Sequence, residues 1–143
     1  MKINIITIGK FKEKSYLDLY NEYKKRMPYT ITLKELEVKK TLSVEKMKEE
    51  EGKLLLQNCS KGKIVALDER GKIITTNEFC PLITDDVNFI IGGSDGLSQE
   101  VRDKCDYTLS FGKMVFPHLM VRVMLVEQIY RTYTIKIGHP YHK

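Results

Sequence analysis

The sequence predicts one α/β domain over residues 1–143, with a mainly parallel sheet, and three observations carry that expectation. Ile64-Val65-Ala66-Leu67 and Val87-Asn88-Phe89-Ile90-Ile91 are nearly continuous apolar runs, the pattern of strands covered on both faces. Segments of helical period separate the strand-like segments, which is the alternation of a βα fold. The length of 143 residues suits a single core, and no internal repeat, linker or low-complexity stretch divides it.

In chain order, residues 2–8 read as a strand closed by Gly9. Tyr16, Leu17, Leu19, Tyr20, Tyr23 and Met27 recur at helical spacing until Pro28 stops the helix. Residues 31–38 read as a second strand. Ser43 then caps a helix through Leu56, with Lys46 in place of the Glu that a capping box needs. The charged middle of this helix, residues 46–53, is expected to face solvent. The run ending at Asp68 is a strand bounded by Glu69-Arg70-Gly71, and Val87–Ile91 is another, bounded by Gly92-Gly93. A helix begins near Ser98, a strand occupies residues 107–111, and a long last helix starts with Pro117 as its first residue.

Composition narrows the function classes. An apolar fraction of 42% with 30% charged residues is ordinary for a globular protein, and no apolar run approaches the roughly 20 residues of a membrane span. Met1-Lys2-Ile3-Asn4-Ile5 opens a strand of a cytosolic protein rather than a signal peptide. Cys59, Cys80 and Cys105 are too few and too widely spaced for a disulfide framework or a zinc site. They read as thiols of a reducing compartment, and no metal is expected. The net charge of +5 is uneven. From Tyr107 onward Lys113, Arg122, Arg131, Lys136 and Lys143 face the single acid Glu127. The basic end, which also holds His118, His139 and His142, suits an anionic partner such as nucleic acid.

Ligands of open α/β sheets bind beyond the carboxyl ends of the strands. Three such exits stand out: Leu67-Asp68-Glu69-Arg70-Gly71, then Gly92-Gly93-Ser94-Asp95-Gly96-Leu97, then the stretch from Phe111 to His118. The paired glycines of the second let a ligand approach the backbone, though a plain tight turn uses the same residues. The third is either a set of apolar walls for an adenine or thioether or a plug at the sheet's end. In the last helix His118 and Arg122 share a face, while Glu127, paired with Arg131, lies about 180° round. Between them both flanks are apolar, as in a helix packed against a second subunit.

Phe89-Ile-Ile-Gly-Gly-Ser-Asp-Gly-Leu, Leu109-Ser-Phe-Gly-Lys-Met-Val-Phe-Pro-His-Leu-Met-Val-Arg-Val, Glu127-Gln-Ile-Tyr-Arg and the closing His139-Pro-Tyr-His-Lys together resemble the RlmH (YbeA-like) methyltransferases of the SPOUT superfamily. The resemblance covers nearly the whole chain. It implies a SPOUT-type α/β knot, with a C-terminal trefoil knot as a rare exception to unthreaded topology. It also implies S-adenosyl-L-methionine held by Leu67, Gly92 and the loop Phe111, Gly112, Lys113, Met114, Val115 and Phe116. The implied partners are a second copy in a homodimer and the large-subunit 23S ribosomal RNA, where N3 of a pseudouridine is methylated in the assembled ribosome. The chain is shorter than the members it resembles, mainly between Val38 and Ser43 and between Thr75 and Asp86, which leaves only about ten residues for a helical crossing into the strand at Val87.

Methyl transfer to N3 needs the proton of that nitrogen removed or its anion stabilised. His139, Tyr141 and His142 are the expected catalytic residues, carried over the cofactor loop by the tail of this chain or of its partner. Arg122, Arg131 and Lys143 are the expected RNA contacts, and Lys113 could join them at phosphate. His118 serves either RNA or its own loop. The rival is a non-catalytic α/β module that binds RNA or a nucleotide and assists ribosome assembly.

Overall fold

Apolar side chains on both faces make the central strands of this protein, whose computed structural model describes residues 1–38 and 43–143. Along β1, Lys2–Ile8, the side chains of Ile3 and Ile5 enter one apolar cluster, while Ile6 and Ile8 enter another on the opposite face. The same alternation holds in β4, Val87–Ile91, where Phe89 and Ile90 point to different clusters. This is why the sequence shows continuous apolar runs there. The sheet has five strands in the order β2-β1-β4-β3-β5, and every pairing is parallel. Here β2 is Thr30–Leu36, β3 is Lys63–Ile73 and β5 is Tyr107–Ser110.

Helix α1, Lys14–Lys24, packs with the last helix α5, His118–Lys136, over the face holding the larger cluster. Helices α2, Val44–Gln57, and α4, Gln99–Asp103, serve the other face. Ser43 caps α2 by accepting from the Lys46 amide at 3.3 Å, as its position predicts. The charged middle of α2 departs from expectation, because Glu51 and Gly52 are buried. Gly52 is where α4 crosses: a Cβ there would lie 2.3 Å from Cγ2 of Val101. That close crossing carries Glu51 inward with it.

The short crossing from β3 to β4 is built by α3, Thr76–Phe79, followed by one 3₁₀ turn, Cys80–Leu82. A capping box starts it, with Thr75 and Glu78 exchanging side-chain and backbone bonds. Phe79, Leu82 and Ile83 then bury against the core. The other expected shortening, between Val38 and Ser43, lies outside the described residues. Strand β3 runs past Asp68 to Ile73, with a shift in its pairing to β5 between Leu67 and Lys72. Pro117 occupies the capping position before α5 rather than its first helical residue. Among the described residues, no helix is long and apolar enough to cross a membrane.

One buried polar cluster fixes the register of the middle strands. Asn4 and Asn88 are cross-strand neighbours, and the Asn4 amide donates to Asn88 Oδ1 at 3.1 Å. Asn88 Oδ1 also accepts from the Ser60 amide at 3.0 Å, and Asn88 Nδ2 donates to the Ser60 carbonyl at 2.9 Å. The loop between α2 and β3 is thereby pinned to the sheet. Replacing Asn88 by Val orphans several of these buried groups, at about 1–3 kcal/mol each, and urea unfolding should register a loss of that order. The Asn4→Val/Asn88→Val double variant should lose less than the sum of its parts.

Candidate active site at the carboxyl ends of the strands

Because β4, β3 and β5 are adjacent in the sheet, their three exits meet. They enclose a cavity of about 370 Å³, within the range of sites for small ligands. Its lining includes Asp68 and Arg70 after the first part of β3, the turn from Gly92 to Leu97 after β4, and the loop from Phe111 to Pro117 after β5.

Asp68 ties two of these walls together. Its Oδ2 accepts from the Leu97 amide at 3.0 Å, and its Oδ1 from the Arg70 amide at 2.9 Å. Arg102 reaches the same carboxylate at 3.7 Å and also donates to the Leu97 carbonyl. The turn itself closes by a bond from the Gly96 amide to the Gly93 carbonyl at 3.0 Å. Gly96 has a φ of +77°, the left-handed region. Gly92 is held to glycine by contact instead: a Cβ on it would lie 2.9 Å from the Gly96 carbonyl oxygen and 2.9 Å from Leu97 Cδ2. Behind the turn, the Glu51 carboxylate faces Gly93. Burial, and then the charge of Asp95, push the Glu51 carboxyl above its ordinary range.

In the third wall, Ser110 Oγ donates to the Gly112 carbonyl at 2.7 Å and accepts from the Gly112 amide at 3.1 Å. Beyond this knuckle, Met114 and Val115 are 76% and 81% exposed. Of the eight residues expected to hold a cofactor, seven line the cavity; Lys113 does not and is exposed. Asp68 and His118 also line it. Both belong to the strand exits that the sequence marks, Asp68 directly after a buried run and His118 at the end of the apolar loop.

His118 opens α5 beside Gly9, and burial followed by the neighbouring Arg122 charge lowers its pKa. The ring is therefore neutral near pH 7. Arg122, one turn on, corrects an expectation. It is fully buried and cannot touch RNA. Its Nη2 donates to the carbonyls of Ile8 and Gly9 at 2.8 and 2.9 Å, and its Nη1 to Glu35 at 3.3 Å. The guanidinium carbon sits 5.0 Å from the Phe11 ring centroid. The side chain fixes the start of α5 to the exits of β1 and β2.

The tail packs along the second half of α5, on residues that do not line the cavity of its own chain. Gly138, at a φ of +73°, reverses the chain. Tyr141 then donates to Glu127 Oε1 at 3.0 Å and packs edge-on to Tyr130, with ring centroids 4.8 Å apart. Arg131 bonds Glu127 at 2.7 Å, stacks on Tyr141 and meets His142 Nδ1 at 3.1 Å. His139 stays exposed. Thus His139, Tyr141, His142, Arg131 and Lys143 stay together near the helix end, apart from the cavity lining.

A parallel sheet whose neighbouring exits close round a mixed polar and apolar cavity defines an α/β protein with a candidate small-ligand site at the carboxyl ends of its strands. The model of the family described as "Predicted SPOUT methyltransferase" matches residues 1–142, and the chain belongs to that family. It is 41% identical to the ribosomal RNA large subunit methyltransferase H of Rhodospirillum centenum, over all of this chain and 99% of that protein. It is 43% identical to the protein of the same name from Clostridium botulinum, over the full length of both. These alignments extend over 151 and 159 positions, more than the 143 residues here. In fold it is similar to a Bacillus anthracis structure assigned as an RNA methyltransferase, with a TM-score of 0.55 at 12% identity over 97% of this chain and 96% of that one. A Haemophilus influenzae structure assigned to a methylase family matches with a TM-score of 0.60 at 14% identity, over 99% of this chain and 70% of that one.

Two outcomes follow from the geometry. Arg122→Ala leaves two carbonyls and Glu35 without their donor, and because Glu35 is partly exposed the loss should fall near the lower end of about 3–5 kcal/mol, read by chemical denaturation. Glu51→Gln should raise the thermal midpoint near pH 7 by a few degrees. A carboxyl whose folded pKa is raised destabilises the fold as it ionises above its ordinary range, so the advantage of the variant should vanish when the pH falls below that range.

Proposed function

We propose that this chain transfers the methyl group of S-adenosyl-L-methionine to N3 of a pseudouridine in large-subunit ribosomal RNA, as a homodimer acting in the cytoplasm on the assembled ribosome. The observation that carries the reading is the convergence of three strand exits on one cavity. The residues present suit that cofactor. Leu67, Phe111, Met114, Val115 and Phe116 supply apolar walls, and Gly92 and Gly112 bare backbone. Asp68, Glu69 and Asp95 outnumber Arg70 in the lining, which favours a cationic ligand. When bound, the cofactor supplies an electrophilic methyl group on a sulfonium. The family's knot belongs to the same reading.

The protein's part is to position the nucleoside and to manage the N3 proton. Tyr141 stays a phenol: burial, together with Tyr23 and Glu127, pushes its pKa up. It is a donor rather than a base. Arg131 is donor-only, so His142 Nδ1, 3.1 Å away, accepts and Nε2 carries the hydrogen. The Tyr141 amide likewise donates to His139 Nδ1 at 3.2 Å. Both tail imidazoles thus present N–H groups outward, fit to stabilise the charge that develops on the uracil ring. Arg131 and Lys143 add positive charge, and Lys113 stands free beside the cavity for phosphate.

No tail residue lines the cavity of its own chain, so in this reading a second copy is what brings tail and cavity together. Exposed Met114, Val115 and Ile137 give that copy apolar surface to cover. From His118 to Ile135 no residue of α5 is fully exposed, as suits a helix with neighbours on both flanks.

Calorimetric titration should show binding of S-adenosyl-L-methionine, and mass spectrometry should find the methylated nucleoside in treated ribosomes but little in naked RNA. No binding heat would leave the non-catalytic module standing. A chain ending before His139 should bind the cofactor as before and lose methylation; unchanged turnover would remove the tail from the mechanism.

A further inference from the structure

The end of α1 carries a second cationic and aromatic surface that neither the cavity nor the tail explains. The Arg26 guanidinium carbon lies 5.3 Å from the Tyr23 ring centroid and 5.5 Å from that of Tyr130, so the group rests against both rings. Tyr23 and Tyr130 are 5.9 Å apart, and Tyr130 in turn meets Tyr141, on which Arg131 stacks. Arginine and tyrosine contacts therefore run on from the end of α1 across α5 into the tail. The side chain of Arg26 remains 40% exposed, and its Nη2 donates to Glu22 at 3.0 Å, which leaves donors of its fork to spare. Glu22 also serves Lys25, at 2.7 Å, so one carboxylate faces two cations there. The patch keeps an excess of positive charge.

We propose that Arg26, oriented by Tyr23 and Tyr130, is a contact for the single-stranded ribosomal RNA that flanks the target nucleotide. Its guanidinium takes a backbone phosphate, and the tyrosines beside it offer faces for unpaired bases. The inference rests on the RNA methyltransferase reading and extends its substrate surface to a helix outside the cavity and tail. The physical case is preorganisation. A guanidinium already resting against two rings loses little freedom on meeting a phosphate, and arginine–aromatic platforms bind single strands by stacking and charge together.

The test measures methylation of large ribosomal subunits across a series of salt concentrations for the wild type, Arg26→Ala and Arg26→Lys, with S-adenosyl-L-methionine binding and thermal midpoints measured in parallel. Arg26→Ala should raise KM about tenfold and reduce the salt dependence of binding by about one phosphate's share, with kcat within about twofold. Cofactor binding and midpoint should stay at wild-type values. Arg26→Lys should restore the salt dependence but only part of the KM, because the ammonium keeps the charge and loses the planar stack. Arg26→Ala with unchanged KM and salt dependence overturns the inference and leaves the enzyme reading intact. A wild type that methylates no ribosomal substrate overturns both.

Discussion

A single buried guanidinium organises the mouth of this protein. Arg122 draws the first turn of α5 against the ends of β1 and β2 by bonding the carbonyls of Ile8 and Gly9 and the carboxylate of Glu35. Burying a charge is costly unless its donors are met; here two backbone acceptors and one anion meet the Nη groups and the Phe11 ring lies beside the guanidinium, while Nε is left without a partner. What that contact holds in place is Pro117, His118 and the loop before them, which form the third wall of the cavity. Burial, and then the same positive charge, lower the pKa of the His118 imidazole.

The remaining walls are held by different means. Asp68 bonds backbone amides on both sides of itself, so the exit of β3 and the turn after β4 move as one piece. Gly92 and Gly96 make that turn possible for separate reasons, one of contact and one of torsion. Behind it sits Glu51, a carboxyl kept from water by the tight crossing of α2 and α4 at Gly52. The rim is rigid on the side of Asp68 and unsupported at Met114 and Val115, which only another surface can cover.

Much of the fold was legible in the sequence, because the continuous apolar runs at Ile64 and Val87 and the Ser43 and Ser98 caps act locally. The three exits were legible too, since strand ends, paired glycines and an apolar loop are contiguous signals. The strand order was not, because β4 lies between β1 and β3 by pairings between residues far apart in the chain. Arg122 was misread for the same reason. In sequence it is a cation four residues from a histidine in a basic segment, and its acceptors belong to β1 and β2. Glu51 misled similarly, as its neighbours in sequence are charged while its neighbours in space are Gly93 and, across Gly52, the helix of Val101. The crossing after β3 worked with few residues because Thr75 and Glu78 cap a single turn.

The bond from Arg122 to Ile8 joins residues 114 apart in sequence. A chain leaving the ribosome exposes the carbonyl groups at Ile8 and Gly9 long before their guanidinium has been translated. The strand of Val87 must also slide between two strands made earlier. Such distant pairings are slow and leave open sheet edges in the meantime. A nascent copy thus has no complete cavity at its strand exits until nearly all of it has emerged.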